Sequence, residues 1–154
     1  MSKESLNIVH ESVRLAQQGL NPTVITRVKS GWVVLGDNQV IPGYCILLAD
    51  PIVDNINKLQ ANERKQFLHD MTIIGDALIN VMDANLINYS ILGNLDAGLH
   101  AHVHPRYSSE PDEYRKAPPW RYNFMKVPAV EFNPEKDRLL MQRLKDEIDK
   151  LSAM

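Results

Sequence analysis

The chain has 154 residues, with 17 Lys plus Arg against 19 Asp plus Glu and a formal charge of −2. A hydrophobic share of 44% and a charged share of 23% are ordinary for a globular domain, and the near-neutral balance argues against broad binding to a nucleic-acid backbone, which needs a basic surface. The length fits one domain, and no apolar run approaches the roughly 18 residues of a membrane-spanning helix. The single cysteine, Cys45, has no partner for an internal disulfide or a CxxC zinc site. Met1 to Ser5 lack the apolar stretch of a secretory leader, so the expected setting is the cytoplasm.

The elements follow in chain order. Leu6, Val9, Val13, Ala16 and Leu20 recur at spacings of 3 and 4, which predicts a helix ended by Gly19 and Asn21-Pro22. Val24 to Leu35 is rich in β-branched residues and reads as one strand or a pair turning near Ser30-Gly31. Gly36-Asp37-Asn38 and Pro42-Gly43 are turn chemistry. The apolar run Tyr44 to Leu48 between them and Asp50-Pro51 predicts a buried central strand. Phe67, Met71, Ile74, Leu78 and Val81 then mark a long helix over about 62–83, with Asn62 as its N-cap. Leu86 to Leu92 reads as a strand, Gly93-Asn94 as a turn, and the alternating run His100 to His104 as another strand. A last helix is predicted from Asn133-Pro134, an N-cap and first-turn pair, with Leu140, Leu144, Ile148 and Leu151 on one face.

Residues 105–133 stand apart, holding five of the nine prolines and six of the ten aromatics. Disordered segments are poor in aromatics, so an ordered, irregular flap packed on its own side chains is expected.

The chemistry concentrates in one place. Three of the five histidines fall within His100-Ala101-His102-Val103-His104. On a strand, side chains at i, i+2 and i+4 share a face at steps of roughly 6.6 Å, which lines up three imidazoles while Ala101 and Val103 face the core. Such a row suits covalent catalysis, one imidazole attacking an electrophile while its neighbours fix its tautomer and polarise the substrate. It also suits a metal site, although no acidic residue sits at ligand spacing to complete it. A third reading is three solvent-facing histidines on an edge strand. His10 and His69 fall in predicted helices and read as surface or boundary histidines.

His100-Ala101-His102-Val103-His104 resembles the motif of the histidine triad (HIT) superfamily of small nucleotide hydrolases and transferases. Leu92-Gly93-Asn94 and Leu99-His100 resemble the approach to that motif in bacterial HIT-like proteins. Trp32 to Asp37 and Pro42 to Leu48, with Pro51, are similar to the family's first hairpin, so the resemblance covers about residues 25–107. It implies an α+β fold: a five-stranded antiparallel sheet with a packed helix, here with N- and C-terminal helices added. One domain over 1–154 is expected, with the flap at 108–133 and the last helix at 134–154. The resemblance further implies a homodimer in which two sheets become one; no cofactor is expected. Its mechanism is attack of the central histidine, His102, on the α-phosphorus of a nucleotide, giving a nucleotidyl-histidine that water or another acceptor resolves. His100 and His104 would orient it and contact phosphate or leaving group, and Asn94 would lie near the phosphate.

This chain departs from the family pattern at several positions. Tyr44 stands where many members have a supporting histidine. The usual ribose-contacting acid or amide falls on Gly36, with Asp37 one residue away. Gly98 stands where many place a glutamine or serine. Arg106, in Pro105-Arg106-Tyr107, is a candidate phosphate contact that also reads as a surface ion pair. Trp120 is a candidate for stacking on a base, with core packing as the other reading. The expected function is a hydrolase acting on a small nucleotide, with hydrolysis favoured over transfer for so small a chain. The alternatives are a HIT-like nucleotide-binding module that turns over poorly and a histidine metal site.

Overall fold

The computed structural model describes residues 7–124 and 127–154. Leu6, and with it the start of the first predicted apolar stripe, lies outside them, as do the side chains of residues 123 and 124. Five strands form one antiparallel sheet: β1 (Val24–Val28), β2 (Gly31–Leu35), β3 (Cys45–Ala49), β4 (Leu86–Ser90) and β5 (His100–Arg106), in the order β1-β2-β3-β5-β4. The segment from Val24 to Leu35 is thus a hairpin turning at Lys29-Ser30.

Alternation along these strands produces two different faces. Val33, Leu35, Cys45, Leu47, Ala101 and Val103 are closed against two helices, α2 (Ala61–Met82) and α5 (Arg138–Ser152). Phe67, Ile74, Leu78, Leu144 and Ile148 complete that core, all fully buried. The opposite face carries Trp32, Val34, Ile46 and Leu48, then the histidines. Helix α1 (Ile8–Gln17) packs Val9 and Val13 on its β2–β3 half. The other half, over β5 and β4, is left for the flap.

The flap contains two short helices, α3 (Asp112–Arg115) and α4 (Arg121–Phe124), so it is less irregular than its prolines suggest. Pro105 and Arg106, the first residues of the proline- and aromatic-rich stretch, belong to β5 instead.

Several predicted ends move for identifiable reasons. Helix α2 is capped at Gln60 rather than Asn62, since the Glu63 carboxylate reaches back to accept from the Gln60 N–H at 2.9 Å. Asn133 does cap a turn, accepting from the N–H groups of Glu135 and Lys136 at 3.0 and 2.9 Å. That turn is interrupted at Asp137, and α5 starts only at Arg138. Tyr44 falls just before β3, β4 ends at Ser90 rather than Leu92, and Leu20 lies beyond α1 with its side chain exposed. Among the described residues no helix is long and apolar enough to cross a membrane.

Candidate active site

Strand pairing brings the site together. In the antiparallel register Ile46 lies opposite His102 and Leu48 opposite His100 across β3–β5, while Asn88 lies opposite His104 and Ser90 opposite His102 across β4–β5. His100, His102 and His104 therefore share the flap-side face, with Ala101 and Val103 fully buried on the other.

The three imidazoles are held differently. His100 is buried, and its Nδ1 lies 2.7 Å from the backbone oxygen of Gly98. A carbonyl oxygen accepts only, so this nitrogen carries the proton and donates. His102 Nδ1 lies 2.5 Å from the hydroxyl of Tyr44. His104 stacks on the Tyr44 ring, with centroids 4.0 Å apart and planes 4° from parallel, and its Nδ1 is sealed from solvent with no partner among the described residues. His100 and His102 meet edge to face, with centroids 4.9 Å apart and planes at 80°.

Burial, and then the neighbouring His100, lowers the His102 pKa from 6.5 to about 4. Burial again, followed by His102 and Arg106, lowers that of His104 to about 3. Both rings are neutral near pH 7. Burial pushes the Tyr44 phenol well above its ordinary range, so it keeps its proton.

Beside these groups opens a cleft of about 230 Å³ lined by Tyr44, His102 and His104, by Asn38, Val40 and Ile41, by Ser90 and Leu92, and by Pro119 and Trp120 of the flap. Trp120 is exposed and stands at its rim. Sequence reasoning missed Asn38, Val40, Ile41, Ser90 and Leu92. Ser90 was within reach of it, because pairing the strand at 86–92 antiparallel to the histidine strand sets the two side by side.

Of the other candidates, Tyr44 and Gly98 join the histidines, Gly98 through its backbone oxygen. Asp37 is exposed and outside the cleft, and its neighbour Asn38 lines the wall instead. Asn94 is exposed in the loop between β4 and β5 and is likewise not among the lining residues.

Arg106 is neither a surface arginine nor free for a phosphate. Its side chain is 4% exposed and pairs with Glu110 at 3.0 Å. Nη1 donates to Asn88 Oδ1 and the Ala117 carbonyl, Nη2 to Glu110 and the Tyr114 carbonyl, and Nε to the Glu110 carboxylate. All five N–H groups are thus engaged, and the residue anchors the flap. Tyr122 and the Tyr107 N–H also donate to Glu110, at 2.7 Å each.

Of the two histidines outside the motif, His10 is partly buried on α1, with its Nε2 sealed and without a partner among the described residues, and His69 is exposed on α2. Among the described residues no group of three or more His, Cys, Asp or Glu side chains is placed to hold a metal ion.

The sequence matches no family model and no curated protein. Solved structures do match. A histidine triad protein from Marinobacter aquaeolei VT8 superposes with a TM-score of 0.70 at 20% identity, over 83% of this chain and 89% of its own. A hypothetical histidine triad nucleotide-binding protein from Sulfolobus tokodaii gives 0.70 at 14%, over 92% and 93%. Plasmodium falciparum diadenosine triphosphate hydrolase gives 0.58 at 14%, over 84% and 78%. A five-stranded antiparallel sheet with the histidines on its open face, and this set of likenesses, identify the chain as having the fold of the histidine triad superfamily.

Proposed function

We propose that the chain is a nucleotide hydrolase acting at the α-phosphate through a nucleotidyl-histidine intermediate. The observation that carries this reading is the row of three imidazoles on one face of β5, of which His102 and His104 line a cleft and are held neutral by burial. A neutral imidazole in a partly dry site is a nucleophile at pH 7, and neighbouring N–H donors there stabilise charge developing on a phosphoryl oxygen. The exposed indole of Trp120 at the rim offers a stacking surface for a nucleobase, and Leu92, Val40 and Ile41 add apolar walls.

Two of the similar solved structures are consistent with the reading, one a hypothetical histidine triad nucleotide-binding protein and one a diadenosine triphosphate hydrolase. We further propose a homodimer in the cytoplasm. The unpaired outer edge of β4, with Leu86 and Tyr89 exposed, is a surface a second sheet can extend, and Cys45 is a buried free thiol.

A panel containing an adenylated amine and a dinucleoside polyphosphate, assayed for nucleoside monophosphate release, tests the activity. Wild type should turn over at least one substrate, and the His100→Ala/His102→Ala double variant should lose at least about 10³-fold, roughly 4 kcal/mol of barrier. Nucleotide that binds wild type without any turnover would make the chain a binding module instead. Asp37 and Gly36 favour that second reading, since neither presents an acid to a ribose in the cleft.

A further inference from the structure

We infer that the groove between β4 and the flap takes the leaving group of the reaction, and that Arg115 and Lys116 there select one carrying phosphate. The inference rests on the hydrolase reading above and deepens it, naming the bond cut as a phosphoanhydride rather than a phosphoramidate.

A cavity of about 520 Å³ adjoins the cleft, and Ser90, Pro119 and Trp120 line both. Strand register places its sheet side. Leu86, Asn88 and Ser90 lie opposite Arg106, His104 and His102, which sets them on the histidine face of the sheet. The flap from Arg115 to Trp120 forms the other side. A fragment leaving phosphorus at His102 and His104 toward Ser90 therefore passes from the cleft into this groove. A second sheet would pair with β4 in the plane of the strands, whereas the groove lies above that plane, so the two uses of this edge are compatible.

The groove carries one sign of charge. Arg106, Arg115 and Lys116 line it, and no Asp or Glu does so among the described residues. Glu110 already meets the charge of Arg106, at 3.0 Å. Arg115 and Lys116 share a single carboxylate, that of Asp112, at 2.7 and 3.7 Å, and it is 76% exposed. Ion pairs so open to water are weak, and two cations against one carboxylate leave positive charge for an anion. The two groups suit phosphate, since a guanidinium can take two oxygens at once and an ammonium acts as a point charge.

Bond breaking sharpens the preference. As the attacking imidazole nitrogen bonds the α-phosphorus, the bond to the bridging oxygen breaks and its electron pair stays on that oxygen. A departing phosphate thereby gains negative charge, which cations in the groove stabilise as it develops. Water then bonds the phosphorus, the P–N pair returns to the ring, and the proton lost by the water passes to solvent. An amine leaving group would instead take up a proton on departure and meet charge of its own sign.

Two measurements test this. Pyrophosphate alone should bind the wild-type protein by calorimetry, less tightly as salt rises, and Arg115→Gln/Lys116→Gln should weaken it at least about 10-fold. Asp112→Asn, which frees both cations, should tighten it. No binding to wild type, or equal binding by these variants, would overturn the inference. Nucleoside monophosphate release is then compared between a dinucleoside polyphosphate and an aryl ester of the same nucleotide, whose leaving group has no phosphate. The ratio of their kcat/KM values should fall at least about 10-fold in Arg115→Gln/Lys116→Gln. An unchanged ratio would overturn the inference while keeping the hydrolase reading. Pyrophosphate bound as expected with no turnover of any substrate would remove the hydrolase reading and the leaving-group role with it, keeping only an anion site.

Discussion

Gly36 and Tyr44 form a matched pair: a Cβ built on Gly36 would lie 2.3 Å from Tyr44 Cδ1 and 2.4 Å from Cε1. The ring that holds His102 can lie where it does only because residue 36 has no side chain. The two departures from the family pattern at these positions are therefore one structural choice. Gly36→Ala should destabilise the protein by about 1–3 kcal/mol, the usual cost of overpacking. In a Tyr44→Ala background most of that penalty should vanish, giving a coupling of similar size in a double-mutant cycle read by urea unfolding. Additive effects would mean that the ring moves aside freely.

The flap is fixed by Arg106, which joins β5 to Glu110 and to the carbonyls of Tyr114 and Ala117. Removing one partner of a buried ion pair leaves the other charge uncompensated. Arg106→Met should therefore cost about 3–5 kcal/mol in denaturant unfolding and loosen the segment carrying Trp120. A loss below about 1 kcal/mol would show that the flap is held mainly by its aromatic packing.

Stability should fall on the acid side through the histidines. Unfolded imidazoles take up protons at their ordinary value of 6.5, whereas folded His102 and His104 resist until about 4 and about 3. Between these limits the unfolded state binds more protons, so stability present above pH 6.5 is lost as pH drops toward 4. The urea midpoint should decline over this window, and less steeply in His102→Gln/His104→Gln. Equal slopes in the two proteins would contradict the shifts.

Much of the fold was legible in the sequence because it depends on short-range periodicity: the alternation of His100 to His104, the 3–4 spacing of Phe67 to Leu78, the turn at Ser30. What was not legible depends on residues distant in sequence. Tyr44 and His102 are 58 positions apart, and nothing local announces that their polar atoms meet. Arg106 looked available for phosphate because its five acceptors lie on residues 88, 110, 114 and 117, which only the folded flap gathers. At Gly98 a Cβ would come within 2.5 Å of Val9 Cγ1, so α1, 89 positions away in sequence, requires the glycine.

Trp120 stands at the cleft rim rather than in the core. Base stacking on an exposed aromatic is worth about 1–3 kcal/mol by alanine substitution. Trp120→Ala should weaken binding of a nucleoside monophosphate by about 10-fold or more by calorimetry, with the unfolding midpoint little changed. Unaltered affinity would place the base elsewhere.

Hydrolysis of a substrate from the panel in ¹⁸O-labelled water most directly tests attack at the α-phosphorus. The account predicts one ¹⁸O in the phosphate of the released nucleoside monophosphate and none in the leaving fragment. Label in the leaving fragment, or no release from any substrate, would contradict it.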